Sequence, residues 1–319
     1  MRFPIAIAVG LLLAGSLRAA APDTLFVEVD AGVELEVLDW GGDGPAVLLL
    51  AGLGNTAHVF EDFAPRLARH ARVRGVTRRG YGASTRAHDG YDQETLARDL
   101  ARVCDALNVA HPVLVGHSLA GSEMAWFETL WPGRARALVF LDAAYDHSRL
   151  GELDDMAPHP AARPPSQADK SSLEAVRAWL LREKGFPAPP GEIAALFRFA
   201  ADGRLVDARG SGTATGFIRH ALPPPPYGNV RAPTLALYAK PTLAARYPLF
   251  ADFALEDLAR ARRRMEIERD WMSTQAATFQ QLVPHATVVI RDGANHFLFL
   301  TDGAGTAMAV GAFLGGLAD

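Results

Sequence analysis

The chain has 319 residues, of which 49% are hydrophobic and 21% charged, with a formal net charge of -4. This balance suits one large globular domain or a core with an insertion, and its mild acidity gives no footing for nucleic acid. Its single cysteine, Cys104, rules out an internal disulfide; no Cys/His cluster has zinc-ligand spacing, and no metal or other cofactor is expected.

At the N-terminus, Arg2 precedes an apolar run from Ile5 to Ala14, followed by Gly15, Ser16 and the small residues Ala19-Ala20-Ala21. Positive charge, apolar core and small-residue end occur in the order of a secretory signal peptide, predicted over 1–21. The run is too short to span a bilayer, so the expectation is a soluble protein exported to the periplasm or beyond, with no stable membrane anchor.

Strand patterns follow at 24–30 and 33–39, separated by the hairpin signal Ala31-Gly32. Apolar runs of the buried-strand kind then recur at 46–51, 73–77, 113–116, 137–141, 234–238 and 287–290. Between most of them lie helical patterns, at about 57–69, 92–108, 119–131 and 302–317. Strand and helix alternating in this way imply an α/β fold: a mostly parallel sheet of eight strands with helices on both faces.

The alternation breaks between Asp142 and Pro233, where Pro158, Pro160, Pro164, Pro165 and Pro223–Pro226 surround helical patterns near 171–184 and 191–201. This division predicts a core of 22–145 and 230–319 and a helical, proline-rich lid of 146–229 between the sixth and seventh strands. A long helix over 252–282 carries Arg260, Arg262, Arg263 and Arg264 against Glu266, Glu268 and Asp270, the pattern of a solvated charged face. Trp126, Trp179, Phe197, Phe199 and Phe217 are candidates for apolar lining of a site.

The chemistry concentrates at Gly116-His117-Ser118-Leu119-Ala120-Gly121, where a strand pattern turns sharply into a helical one. A serine on such a turn, flanked by small residues, presents its hydroxyl above the sheet. The glycine expected two places after the serine stands one place later, as Gly121. A serine nucleophile needs an adjacent base oriented by a third group. His296, in Gly293-Ala294-Asn295-His296-Phe297 just beyond the last strand, is the candidate base; His117 is at most site-lining, and nothing favours His58, His111, His147, His159 or His285.

Together with Ala51-Gly52-Leu53-Gly54 and Arg79-Gly80-Tyr81-Gly82-Ala83-Ser84, these segments resemble the α/β-hydrolase superfamily over about 24–319, in its esterase, lactonase and C–C-hydrolase-like branch. The resemblance implies the chain order Ser…Asp/Glu…His. It also implies oxyanion donors at the backbone N–H groups of Leu53 and Leu119, with Gly52 and Gly54 permitting close approach. Many relatives carry His-Gly where this chain has Ala51-Gly52. The triad acid usually follows the penultimate strand, yet Ala239-Lys240-Pro241-Thr242 has no carboxylate there. The alternative position, at the end of the sixth strand, offers Asp142, with Tyr145 nearby as a lining candidate; Asp146, Asp252 and Glu256 are the competing acids.

The expected activity is therefore hydrolysis of a small-molecule ester, thioester or lactone through an acyl-enzyme on Ser118. The alternatives are amide, peptide or C–C cleavage by the same residues, or a catalytically degenerate ligand-binding protein.

Overall fold

A computed structural model describes residues 21–317 apart from 162, 211 and 221; the expected leader, apart from Ala21, lies outside the described residues. Strands β1 (Asp23–Asp30) and β2 (Val33–Gly41) form the antiparallel hairpin. They are followed by β3 (Ala46–Leu50), β4 (Arg72–Val76), β5 (Val113–His117), β6 (Ala137–Leu141), β7 (Thr234–Lys240) and β8 (Thr287–Asp292). The sheet runs β1-β2-β4-β3-β5-β6-β7-β8, and every pairing from β4 to β8 is parallel.

The helices are α1 (Gln93–Ala106), α2 (Ala120–Leu130), α3 (Leu150–Met156), α4 (Leu173–Lys184), α5 (Pro190–Leu196), α6 (Gly212–His220), α7 (Leu255–Leu282) and α8 (Gly303–Gly315), besides shorter turns. The expected α/β architecture is thus present, with α3 to α6 in the stretch between β6 and β7.

The central strands read as unbroken apolar runs because both of their faces are buried. Leu48, Leu50, Leu114, Leu138 and Phe140 point into one core layer, with residues of α1, α2 and α7. Val47, Leu49, Val113, Val115 and Val139 alternate into the other, against α8 and the 57–67 segment. Burying each such side chain contributes about 1.5–3 kcal/mol, so the register of the central strands is firmly held.

Two expected helices take other forms. The 57–69 pattern splits into a 3-10 turn, Ala57–Phe60, and a short helix, Ala64–Leu67. Pro65 has no N–H to continue a hydrogen-bond ladder through this point, although Val59, Phe60, Phe63 and Leu67 all still bury. The 191–201 pattern ends at Leu196, after which 197–199 pairs with 205–208 in a small hairpin whose turn uses Gly203 at φ 85°.

Candidate active site

The carboxyl ends of β3, β5, β6 and β8 share one edge of the sheet, so the loops that follow them converge. Ser118 follows β5 with φ 53°, a left-handed backbone that costs a serine roughly 1–3 kcal/mol and is held by the structure around it. Its N–H donates to Leu141 O (3.3 Å), stitching the turn to the end of β6. A Cβ on Gly121 would stand 2.0 Å from the carbonyl oxygen of Ala143, so only glycine lets α2 approach the β6 loop this closely.

Asp142 follows β6, also left-handed at φ 48°. Its Oδ2 lies 2.6 Å from His296 Nδ1, while Oδ1 accepts from Tyr145 Oη (2.5 Å) and from the N–H of Ala239 (2.8 Å). Burial first, and the neighbouring Asp142 carboxylate second, push the Tyr145 hydroxyl well above its ordinary range, so it serves as a fixed donor. The hydrogen bond places a proton on His296 Nδ1 and leaves Nε2 as the acceptor, the tautomer a general base requires. The competing acids lie elsewhere: Asp146 caps the turn at His147, Asp252 sits in a separate 3-10 turn, and Glu256 pairs with Arg260.

His117 is buried beneath this pair. Its Nε2 donates to the carbonyl of His296 (3.1 Å), and its ring stands 4.5 Å from the His296 ring and 4.8 Å from that of Phe297. Burial, reinforced by His296, holds its pKa well below the ordinary value, so it is a neutral prop under the His296 loop.

The Leu53 loop is clamped from two sides. Buried Arg78 donates to the carbonyls of Ala51 (2.8 Å) and Gly52 (3.4 Å) and is itself held by Glu123 (2.6 Å). Glu192, on α5, accepts from Asn55 Nδ2 (2.8 Å), Thr56 Oγ1 (2.5 Å) and the Thr56 N–H (3.2 Å). Burial raises the Glu192 pKa to about 7 despite these donors. Among the described residues, the N–H groups of Leu53 and Leu119 meet no acceptor and remain free to donate. Gly52 packs closely here: a Cβ would lie 2.9 Å from His117 Nδ1 and 3.1 Å from Ser118 Cβ. Gly54 has φ 85°, which suits glycine. Arg78 and Glu192 supply support where Ala51 offers no side chain; their sequence neighbourhoods carry no signal of that role.

Ser118, Leu53, Leu119, Asp142, Tyr145 and His296 all line one cavity of about 380 Å³. Leu150, Leu153, Phe186 and Leu222 of the insertion complete its apolar wall with Trp271, Met272 and Phe297. The aromatic candidates from the sequence are placed otherwise. Trp126 packs against the main core, Trp179, Phe197 and Phe199 form a separate cluster within the insertion, and Phe217 stacks on Tyr91.

The sequence marks none of three further residues as cavity-lining. His147 and His159 line the cavity, and burial beside His296 lowers the His147 pKa to about 4. Arg264 is no member of a solvated face: it is 3% exposed and faces the cavity with Glu268. Pairs spaced i, i+4 along a helix look alike in sequence whichever face turns inward.

A family model described as alpha/beta hydrolase fold matches residues 45–189. The chain is 32% identical over 101 residues to the 2-(acetamidomethylene)succinate hydrolase of Mesorhizobium japonicum, covering 32% of this chain and 36% of that one. It is 32% identical over 121 residues to the bifunctional esterase/perhydrolase of Acinetobacter calcoaceticus, covering 37% and 44%. The matches thus span less than half the length of these curated relatives. The crystal structure of E-2-(acetamidomethylene)succinate hydrolase shares the fold at a TM-score of 0.67 and 22% identity, over 92% of this chain and 99% of that one.

Proposed function

Given that the chain belongs to the α/β-hydrolase superfamily, we propose that it is a serine hydrolase cleaving a small ester, thioester or lactone through an acyl-enzyme on Ser118. The observation that carries this reading is the 2.6 Å hydrogen bond between Asp142 and His296 at the cavity that Ser118 lines.

In this reading Ser118 Oγ attacks the substrate carbonyl carbon and passes its proton to His296 Nε2. The N–H groups of Leu53 and Leu119 receive the developing oxyanion, each such donor being worth roughly 10²–10³ in rate. His296 then gives the proton to the leaving alcohol or thiol. Water then attacks the acyl carbon as Nε2 takes its proton, the acyl–Oγ bond breaks, and that proton passes to Ser118 Oγ as the acid leaves. Asp142 holds the Nδ1 side of the ring and stabilises the imidazolium.

The 146–229 insertion acts as the lid in this proposal, because its Leu150, Leu153, Phe186 and Leu222 complete the cavity wall. Export follows from the leader pattern of Arg2, Ile5–Ala14 and Ala19–Ala21. Amide cleavage by the same residues is the second reading, favoured by the likeness to 2-(acetamidomethylene)succinate hydrolase.

The test is the intact mass of the protein after exposure to a fluorophosphonate, with Ser118→Ala as control. One adduct on the wild type and none on the variant is the expected result. No adduct on the wild type would overturn the reading in favour of a ligand-binding protein. An ester and amide panel then separates the two catalytic readings.

A further inference from the structure

The chain carries a formal charge of -4, yet the cavity beside Ser118 has the opposite balance. Lys184, Arg219, Arg246, Arg264 and Arg269 line it, against the carboxylates of Asp142, Asp154 and Glu268. Asp142 is already engaged with His296, Tyr145 and Ala239.

Three guanidinium groups share the other two acids. Glu268 accepts from Arg246 Nε and Nη2, both at 3.2 Å, and from Arg264 Nε at 2.5 Å. Asp154 takes Arg264 Nη1 at 2.8 Å and pairs with Arg219 at 3.6 Å. Arg264 Nη1 is also fixed by the carbonyl of Ala157 at 2.6 Å, so this arginine is largely spent on structure. Arg246 also gives Nε and Nη2 to Glu268 and lies 5.3 Å from the Tyr247 ring centre, but its Nη1 has no acceptor among the described residues and its side chain is 35% exposed, against 4% for Arg264. Lys184 and Arg269 add charge with no acidic partner among the described residues. The positive field reaches beyond the arginines themselves: after burial, Arg264 and Arg246 are the main reasons the His159 pKa falls.

A cavity with surplus cations, an unspent guanidinium nitrogen and an apolar wall of Leu53, Phe186, Leu222, Trp271 and Met272 suits an amphiphilic anion. We propose that the substrate carries a carboxylate besides its scissile acyl group, and that Arg246, backed by Arg264, is the residue that selects it. The inference rests on the serine-hydrolase reading above and adds the substrate class. A guanidinium fits this role because its planar donors match a carboxylate, and such charge-assisted bonds strengthen where water is excluded.

The experiment compares kcat/KM for the para-nitrophenyl hemiester of glutaric acid with that for para-nitrophenyl pentanoate, a neutral ester of nearly the same shape. In the wild type the hemiester is expected to be preferred by about tenfold or more, with a preference that shrinks as salt is added. In Arg246→Gln the ratio should fall by about tenfold or more. Should that variant not fold, protection of wild-type Ser118 from fluorophosphonate by free glutarate, and not by pentanol, serves in its place.

Turnover of both esters by Ser118 with a wild-type ratio at or below one would overturn the proposal and leave the hydrolase reading standing. A ratio unchanged by Arg246→Gln would overturn the role of Arg246. Failure of both esters together with an unlabelled Ser118 would overturn this proposal and the reading beneath it.

Discussion

Asp142 and His296 come from strands that are not neighbours, β6 and β8 with β7 between them, yet their Oδ2 and Nδ1 atoms stand 2.6 Å apart. The span is bridged because Asp142 follows β6 with a left-handed backbone and its other oxygen is tethered to the Ala239 N–H at the end of β7. The carboxylate is thereby fixed to the sheet before it meets the imidazole.

Asp142→Asn tests that relationship. The amide can accept at only one of its two atoms, so either the Tyr145 and Ala239 donors or the His296 proton lose their partner. A loss of about 10³–10⁴ in kcat is expected, with Ser118 labelling slowed to match. Turnover within a few-fold of wild type would show that another group orients His296.

Gly121→Ala tests the closeness of α2 to the β6 loop. The added methyl must displace the Ala143 carbonyl, which adjoins Asp142. A stability loss of about 1–3 kcal/mol in a urea titration is expected, together with a larger fall in activity than the lost stability explains. An unchanged urea midpoint would mean the elbow relaxes freely.

Glu192 makes stability depend on pH with a definite sign. Its folded pKa of about 7 lies above the ordinary 4.5 because burial disfavours the charged form. The stabilising contribution is therefore complete below about pH 4.5 and is lost as pH rises through about 7. Relative to Glu192→Gln, the wild type should weaken by on the order of 3 kcal/mol between about pH 4.5 and about pH 8. Parallel stability curves for the two proteins would refute the assignment.

Much of the fold is legible in the chain, because strands buried on both faces announce themselves as short apolar runs and helical patterns such as the amphipathic α1 lie between them. The turn at Ser118 and the loop at His296 are legible for a related reason: small residues mark places where the backbone must bend sharply or approach closely. What stays hidden is contact across long separations. Nothing near Glu192 in sequence points to Thr56, 136 residues away, and nothing near Arg246 points to Glu268 as the acid it shares with Arg264. The hairpin at 197–208 escapes a helical reading because Leu196 and Phe197 continue the apolar pattern of α5 while the backbone has already become extended.

The acid on β6 leaves the segment after β7 with an unusual freedom. Asp142 draws only main-chain groups from β7 itself, the Ala239 N–H on its carboxylate and the Leu237 carbonyl on its own N–H, and no side chain beyond the strand. Ala239, Pro241, Ala245 and Arg246 all face the cavity. On the proposed reading, evolution or an engineer can rewrite these side chains, and with them the choice of substrate, while the proton relay stays intact.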